Sequence, residues 1–522
     1  MIRSHYHPSG PPHSLPNLVA SETLTGRPIH DALEELQGAG PAWKPCSETV
    51  EPRNKGKTFR FNRKSQMNGV IIGAGLAGTL FAHLLREHHP SISFTLLDAR
   101  SRTGGRVLTK RPDLGGPALE LGAEYVNDDH TTVKRWCSEL GIELLPAYPD
   151  AQGAPKMAFL SDQGLRTDFR SILLSLTAAV IRDRPRLRNS ADRAHFDNLS
   201  AQSYVNSLGL RSEDTQVLLL FLENEQCIKP AQMSASFLIE FMDFGRMAVK
   251  DNSLFARGDD RFLIANGSSS LIRALEKPIE SAIRLDASLE AISVTPAGRY
   301  DLHFTNHHSL LADFVVLAIP GSAFKRIEFD PDNHSLKELG VQLQGLNYSE
   351  VEKIIIELDG DQLEILTEFQ QVLSHEARGL VWQTGMTNRQ EHPSQIALYR
   401  RRDDNCSTEH SFDRTVEDLL KALHNARPNQ SNGKSTPSLL SYSRKQWSEG
   451  GWSQPTLGYG ADFCHGVPIQ VGHIFNTGEH MAADDPQTME GALQATMKAY
   501  EKFEETFFSS SLRSGVSPAD KG

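Results

Sequence analysis

Residues 69–78 read GVIIGAGLAG, and this stretch decides the fold. A short β-branched run leads directly into three glycines, Gly73, Gly75 and Gly78, and an alanine- and leucine-rich segment then continues to about His88. The pattern predicts a strand, a tight turn and a helix. In such a turn the first glycine allows the bend, the second lets the backbone approach a pyrophosphate, and the third lets the helix pack closely on the strand. The stretch therefore predicts a dinucleotide-binding βα unit.

A carboxylate and a basic loop follow this unit at the spacing that a dinucleotide requires. A second apolar run, residues 92–97, ends at Asp98, which follows Gly78 by 20 residues. At this distance the carboxylate is expected to meet a ribose hydroxyl. Residues 98–106 read DARSRTGGR, so that three arginines surround a pair of glycines. Guanidinium groups on a bent loop are suited to phosphate, whereas a merely solvated basic loop needs no paired glycines.

The stretch from Asp98 to Arg106 resembles the second motif of the flavin-containing amine oxidase superfamily, which includes monoamine oxidases, polyamine oxidases and L-amino-acid oxidases. One residue departs from that motif, because Asp98 stands where the family usually has glutamate. Further segments resemble other family elements in the family's order, over about residues 67–505. They are residues 120–126 beside the flavin ring, 289–292 on the adenine side, 313–320 in the strand that closes the cofactor domain, and 474–480 and 489–492 beneath the pyrimidine end of the flavin.

The resemblance implies an α/β fold, with a Rossmann-like FAD-binding domain of the GR2 flavoprotein type and a discontinuous α+β substrate-binding domain. A chain of 522 residues is long enough for two domains. Scattered prolines near the N-terminus predict a largely flexible extension there. The expected division is an extension at 1–66, an FAD-binding domain at 67–126, 255–328 and 440–505, a substrate-binding domain at 127–254 and 329–439, and a polar tail at 506–522.

The resemblance also implies noncovalently bound FAD and assigns residues to it. Thr456 stands where monoamine oxidases carry the cysteine that bonds to the flavin. Lys353, in a predicted strand over 349–358, matches the lysine that holds a water against the flavin and is the expected catalytic residue. An exposed lysine at a solvated sheet edge is the alternative, since Glu350 and Glu352 lie beside it. The expected cofactor-binding residues are Gly73, Ala74, Gly75, Leu76, Ala77, Gly78, Asp98, Ala99, Arg100, Gly105, Arg106, Gly122, Ala123, Glu124, Leu289, Gly478, Glu479, Thr488 and Met489.

The substrate class is less determined by the sequence. Tyr125 replaces the arginine that clamps a substrate carboxylate in venom-type L-amino-acid oxidases, and the two aromatic positions of monoamine oxidases match Thr488 and Leu457. Glu124 is expected either to pair with the distal ammonium of a polyamine or to be a structural or flavin-facing residue. The candidate substrate-binding residues are Tyr125, Trp452 and Tyr459.

Three functions remain open at this stage. The first is an FAD-dependent oxidase that converts an amine to an imine, which water hydrolyses, while O2 is reduced to H2O2. The second is an L-amino-acid oxidase whose carboxylate clamp is another arginine, such as Arg378 or Arg444. The third is a flavin-free binding protein of the Rab-escort type, which the intact glycines and Arg106 disfavour.

The composition of the chain indicates which kinds of binding partner to expect. A formal net charge of −11 argues against nucleic acid as the main partner. The cysteines Cys46, Cys137, Cys227, Cys406 and Cys464 are widely spaced, which predicts reduced, unpaired thiols. No metal site is expected, and the apolar runs are too short to span a membrane. We therefore expect a cytoplasmic, soluble protein whose partners are a small amine or amino acid and O2, with a homodimer as a possible assembly.

Overall fold

The computed structural model describes residues 67–111, 118–147, 157–240, 262–305, 308–359, 364–384, 394–402, 409–426, 438–448, 450–459, 464 and 466–508. All of them belong to the compact unit Pro41–Gly522. The predicted N-terminal extension lies outside the described residues, as does most of the predicted polar tail.

A six-stranded sheet contains the predicted βα unit. Its strand Asn68–Ile72 pairs in parallel with Ser93–Leu97 on one side and with Phe314–Leu317 on the other. The last four residues of this strand are buried, as expected for a parallel strand that is covered on both faces. In spatial order the strands are Ile283–Arg284, Ser93–Leu97, Asn68–Ile72, Phe314–Leu317, Ile474–Asn476 and Gln470–Val471.

The helix that follows the glycine turn packs directly on this sheet. It spans Leu76–His88, so the predicted order of strand, turn and helix is confirmed. Gly78 allows the close approach, because a Cβ atom there would lie 1.9 Å from the carbonyl oxygen of Gly73. The core around the sheet includes side chains from six helices. They are Leu76–His88, Thr131–Glu139, Ser269–Glu276, Gly321–Phe324, His334–Gln344 and Met489–Phe507.

A seven-stranded sheet forms the second layer of the molecule. Its strand Val351–Asp359 lies between two antiparallel neighbours. Side chains alternate across it, so that Ile355 packs on one face while Ile354 and Ile356 pack on the other. In spatial order the strands are Ser438–Trp447, Val351–Asp359, Ser394–Arg401, Gly379–Thr384, Gln371–Ser374, Met157–Ser161 and Gly164–Arg166.

Helices cover both faces of the seven-stranded sheet. Three of them, Ala201–Asn206, Ser212–Gln226 and Ala235–Glu240, lie in the segment 127–254 that was expected to belong to the substrate-binding domain. The helices beside Ile355 are Arg170–Asp183, Ser190–Asn198, Ala201–Asn206, Ser212–Gln226 and Ala235–Glu240, and those on the opposite face are Glu364–Glu368 and Glu409–Asn425.

Smaller elements complete the fold. The predicted strand near Leu289 belongs to a four-stranded sheet, and the segment around Tyr125 to a three-stranded one. The four-stranded sheet contains, in spatial order, Ser309–Ala312, Tyr300–Phe304, Leu289–Val294 and Glu328–Phe329. The three-stranded sheet contains Tyr125–Val126, Phe262–Ile264 and Leu144–Pro146. A two-stranded sheet pairs Thr109–Lys110 with Leu119–Glu120, and short 3-10 helices span Arg184–Arg188, Glu280–Ala282 and Glu479–Met481.

One predicted domain boundary meets a strand. The segment 440–505 was assigned to the cofactor domain, but its first residues lie in Ser438–Trp447, at the edge of the seven-stranded sheet. The division into domains stays a prediction. Within the described ranges, no helix is long and apolar enough to cross a bilayer. The same ranges contain no group of three or more His, Cys, Asp or Glu residues placed to hold a metal ion.

The expectation of five unpaired cysteines is wrong. Cys464 is disulfide-bonded, whereas Cys137 and Cys227 are free and buried. Cys46 and Cys406 lie outside the described residues. Cysteines that are far apart along the chain can lie close together in the fold, which is why their spacing did not predict the bond. A disulfide is typical of oxidising compartments, so it does not support the cytoplasmic expectation.

Candidate functional site

A cavity of about 430 Å³ brings most of the predicted site residues together. It extends from the glycine turn of the six-stranded sheet to the strand Val351–Asp359 of the seven-stranded sheet. A cavity of this volume is typical of small-molecule and cofactor sites. The predicted residues that line it are Gly73, Gly75, Leu76, Ala77, Asp98, Ala99, Arg100, Gly105, Arg106, Gly122, Ala123, Leu289, Lys353, Trp452, Gly478, Glu479, Thr488 and Met489.

Two glycine turns meet through bare backbone at one end of the cavity. Gly75 forms a β-bridge with Gly104, whose N–H donates to the carbonyl oxygen of Ala74 at 2.8 Å. Gly105 has a φ of 58°, and a Cβ atom there would lie 3.0 Å from the Cα atom of Gly75. The absence of side chains therefore leaves backbone amides accessible to a ligand in the cavity.

The carboxylate of Asp98 ties these turns together. Its Oδ2 accepts from the N–H of Ala74 and its Oδ1 from the N–H of Arg100, both at 2.9 Å. Each carboxylate oxygen can accept more than one hydrogen bond, so Asp98 retains capacity for a ribose hydroxyl. Asp98 thus lines the cavity, although the family usually has the longer glutamate at this position of the motif.

The helix Leu76–His88 points its N-terminus at the cavity. Gly75 is its N-cap residue, and within the described part of the chain no side chain caps the first turn. Gly75, Leu76 and Ala77 line the cavity directly. Unsatisfied amides and the positive end of a helix dipole together favour an anion such as phosphate.

Basic side chains near this end repel one another. Burial lowers the pKa of Lys445, and the neighbouring Arg102 and Arg100 lower it further. Burial and Arg100 likewise lower the pKa of Arg102. Both Lys445 and Arg102 lie over the ring of Trp447, which holds them close together. Of these three cations, Arg100 lines the cavity, where a phosphate group beside it would offset its repulsion from Arg102 and Lys445.

Arg106 and Glu479 form an ion pair on the cavity wall, in which the side chain of Glu479 is buried and that of Arg106 is partly exposed. An Nη atom of Arg106 donates to Oε1 of Glu479 at 2.6 Å. Glu479 also accepts from the hydroxyl of Ser453 at 2.6 Å and from the N–H of Gln487 at 2.9 Å. Burial alone would raise the pKa of Glu479, but Arg106 and the other donors hold it below its ordinary value. The carboxylate therefore stays ionised and fixes the arginine.

Lys353 is buried in the cavity and does not lie at a solvated edge. Its side chain is 5% exposed, and strands flank Val351–Asp359 on both sides. Its Nζ donates to Oε2 of Glu124 at 2.6 Å and to the carbonyl oxygen of Gly122 at 3.1 Å. Glu352 is also buried, because Arg400 and Arg444 from the flanking strands pair with it. The exposed-edge alternative is therefore wrong.

Glu124 serves Lys353 and does not line the cavity. Its second oxygen, Oε1, accepts from the hydroxyl of Thr384 at 2.8 Å, so both carboxylate oxygens have protein partners. The side chain is 3% exposed. The expectation that Glu124 binds the cofactor or a substrate ammonium is therefore not met. Its observed partners make it a structural residue that holds the lysine.

An aromatic pair lines the cavity near Lys353. The rings of Tyr399 and Trp452 are stacked, with centroids 5.5 Å apart and an interplanar angle of 18°. Tyr399 stands directly opposite Lys353 in the antiparallel register, so both side chains lie on the same face of the sheet. Sequence reasoning proposed Trp452 but missed Tyr399, because only the register between distant strands brings it to this place.

Several other predicted residues lie away from the cavity lining. Ala74 and Gly78 shape the glycine turn from behind, as the contacts above show. The ring of Tyr125 packs 6.3 Å from that of Trp382, and Tyr459 is 46% exposed. Neither tyrosine contributes to the cavity, so the structure does not support them as substrate contacts.

The two arginines considered for a carboxylate clamp are engaged elsewhere. Arg378 pairs with Glu223 at 3.1 Å, and Arg444 pairs with Glu352 at 2.5 Å. Neither arginine lines the cavity. A substrate carboxylate in the cavity would therefore need a different partner.

The buried carboxyl group of Glu120, on the strand that leads to this site, should make the stability of the fold depend on pH. Burial raises its pKa to about 7, although the N–H of Ser268 and the hydroxyl of Thr109 donate to it. The pKa of Glu120 is higher in the folded protein than in the unfolded chain, so its protonated form stabilises the fold. This stabilisation is complete below about pH 4.5 and is lost as the pH rises to about 7. The free energy of unfolding should fall by about 2–3 kcal/mol over this range. Urea denaturation across this range measures the slope. Glu120→Gln should remove it, and an equal slope in the variant would contradict the assignment.

Comparisons with known proteins agree with this arrangement. The family described as "Flavin containing amine oxidoreductase" matches residues 76–499. The L-amino-acid oxidase of Mus musculus is 26% identical over 65% of this chain and 55% of that protein. The putrescine oxidase of Kocuria rosea is 24% identical over 53% of this chain and 62% of that protein. The chain thus spans less than two thirds of the length of these relatives.

A solved structure covers most of this chain. The cyclohexylamine oxidase of Brevibacterium oxydans IH-35A superposes with a TM-score of 0.69 at 17% identity, covering 84% of this chain and 99% of that one. A likeness at this identity shows the fold. The expected α/β flavoprotein fold is therefore confirmed.

Proposed function

We propose that this chain, which belongs to the family of flavin-containing amine oxidoreductases, oxidises the C–N bond of an amine. The amine becomes an imine, water hydrolyses the imine to an aldehyde or ketone and releases ammonia or an amine, and O2 takes up the two electrons as H2O2. A bound flavin supplies the redox chemistry between the amine and O2. The observation that carries this proposal is the aromatic pair Tyr399–Trp452 beside the buried Lys353, in one cavity with the glycine turns.

The proposed cofactor is noncovalently bound FAD. Support for a dinucleotide comes from the cavity's extent, which includes Asp98 at one end and Lys353 at the other. Support for noncovalent binding comes from the lining, since none of the described residues around the cavity is a cysteine. Acid precipitation should release the yellow compound into the supernatant, where chromatography identifies it.

The protein's own groups have separable tasks in this scheme. Backbone amides and the helix N-terminus of Leu76–His88 hold phosphate, and the Arg106–Glu479 pair stiffens the adjoining wall. Tyr399 and Trp452 present apolar ring faces that orient a neutral amine and exclude water. The Nζ atom of Lys353 donates a hydrogen bond to Glu124. This bond keeps one proton-bearing group at a fixed place in an otherwise apolar region.

An amine without a carboxylate is favoured over an amino acid. Tyr125 replaces the clamp of venom-type enzymes, and Arg378 and Arg444 pair with carboxylates outside the cavity. An L-amino-acid oxidase remains the second candidate because relatives with that activity in their names match the chain at 24–26% identity. It would need a carboxylate partner other than these residues.

A substrate panel tests the proposal. Putrescine, cyclohexylamine and benzylamine represent amines, and L-leucine and L-phenylalanine represent amino acids, with peroxide and ammonia measured in each reaction. We expect peroxide formation with at least one amine, together with its aldehyde or ketone. Formation of a 2-oxo acid from an L-amino acid would favour the second candidate instead. No peroxide from any compound, by a protein shown to contain flavin, would contradict the proposed oxidase.

A further inference from the structure

The helix Ser212–Gln226 ends in a strained residue. Its C-cap, Cys227, has φ 46° and ψ 39°, a left-handed conformation that glycine usually adopts at this place. Non-glycine residues keep such a conformation only where their surroundings enforce it, and these positions cluster at functional sites. Burial raises the pKa of Cys227 and that of Tyr399, so both groups keep their protons. The cysteine itself does not line the cavity.

Two consecutive residues of this turn hold both rings of the aromatic pair. The Sγ atom of Cys227 hydrogen-bonds with the hydroxyl of Tyr399 at 3.0 Å. The indole Nε1–H of Trp452 donates to the carbonyl oxygen of Gln226 at 3.3 Å. Each hydrogen bond holds the polar atom of one ring against one of two consecutive residues. The turn therefore fixes the position of the two rings relative to each other.

The same turn is tied to the phosphate end of the cavity through Gln487. The side-chain amide of Gln487 donates to Oε1 of Gln226 at 2.8 Å and to the carbonyl oxygen of Ser453 at 2.7 Å. Its backbone N–H donates to Glu479 at 2.9 Å. Gln487 also has a positive φ, 71°. The side chains of Gln487 and Gln226 thus link the positive-φ residue Gln487 to the turn that contains Cys227, and this link connects the aromatic pair to the Arg106–Glu479 pair.

We propose that the turn Gln226–Cys227 is a positioning element that fixes the stacked geometry of Tyr399 and Trp452 and thereby sets the affinity for the amine. The link to affinity rests on the proposed function, because it takes the pair to be the wall against which the amine binds. Cys227 acts through Tyr399 and has no contact with the cavity of its own. It is therefore a positioning residue.

Two variants at position 227 separate positioning from folding. Cys227→Ala and Cys227→Gly both remove the thiol, but only glycine suits the positive φ of this residue. The glycine variant should therefore melt at a higher temperature than the alanine variant. Cys227→Ser keeps a polar hydrogen and serves as the conservative variant.

The affinity of these variants decides between the two roles. We expect the KM for the best amine to rise about 3- to 10-fold in both the alanine and the glycine variant, the range for loss of one hydrogen bond, with kcat changed less than KM. The serine variant should lie closer to the unsubstituted protein. Tyr399→Phe combined with Cys227→Ala should add little to either single change. A KM that follows the melting temperature, raised with alanine but unchanged with glycine, would overturn the positioning role.

A second readout needs no turnover. The near-ultraviolet circular dichroism difference between the unsubstituted protein and Trp452→Phe defines the signal of the stacked pair. This signal should be lost in Cys227→Ala and Cys227→Gly and retained in Cys227→Ser. An unsubstituted protein that oxidises no amine would refute the proposed function, while the dichroism still decides whether the turn orders the pair. A signal unchanged in all three variants would overturn the inference.

Discussion

Replacing Lys353 with methionine is expected to lower kcat by at least about 100-fold, the scale for loss of a positioned proton-bearing group, while flavin stays bound. Lys353 is a buried lysine on the cavity wall, opposite Tyr399 in the sheet, and it contacts the carboxylate of Glu124 at 2.6 Å. Methionine has a similar length but carries no proton to hold or transfer. Steady-state turnover with the best amine, normalised to bound flavin from the absorbance spectrum, measures the loss.

The matched control separates chemistry from stability. Lys353→Met alone leaves Glu124 buried without its counter-ion, and breaking a buried pair in this way lowers the free energy of unfolding by about 3–5 kcal/mol. The double variant Lys353→Met with Glu124→Gln removes both charges and should regain much of this stability. It should not regain turnover. Recovery of turnover in the double variant would mean that Lys353 serves only to neutralise Glu124.

Changing Gly75 to alanine is expected to weaken flavin binding by at least about ten-fold, because the second glycine of such a turn lets the backbone approach the phosphates. The protein itself has room for the methyl group. Gly75 has a φ of −80°, and the nearest other protein atom to a Cβ there is the Cα of Gly105, at 3.8 Å. The added atom would therefore intrude on the cavity that Gly75 lines. Titration of the flavin-free protein with FAD measures the change.

Gly78→Ala is the contrasting variant. A Cβ atom at Gly78 would lie 1.9 Å from the carbonyl oxygen of Gly73, so this change should lower the melting temperature of the flavin-free protein. Gly75→Ala should leave that temperature nearly unchanged. Normal flavin affinity in the Gly75 variant would contradict the assignment of the glycine turn as the phosphate site.

Local sequence patterns predicted the strands and the helix around the glycine turn well. A β-branched run, glycines at fixed spacing and an acid after the next strand depend on short-range geometry, and the structure has strands at Asn68–Ile72 and Ser93–Leu97 and a helix at Leu76–His88. The resemblance to flavin-containing amine oxidases, carried by these residues, is confirmed by the family match. The order of motifs along the chain was enough to identify the family.

The end of the cavity that contains Tyr399 and Lys353 depends on contacts between distant segments, which no local pattern encodes. Tyr399 faces the cavity because of its register with Lys353, and Cys227 meets it from a helix end 172 residues earlier. Glu352 looked like a solvated residue in the sequence, but Arg400 and Arg444 bury it. Charge alone therefore predicted exposure where pairing across strands produced burial. The homodimer stays a prediction.

An absorbance spectrum of the purified protein, followed by anaerobic addition of amines in the same cuvette, tests the central claim most directly. We predict a yellow protein whose visible flavin absorbance one of the amines bleaches. A protein that stays colourless after incubation with FAD would contradict the account and favour a flavin-free binding protein. A yellow protein that no amine bleaches would contradict the proposed amine oxidation while leaving the flavin site in place.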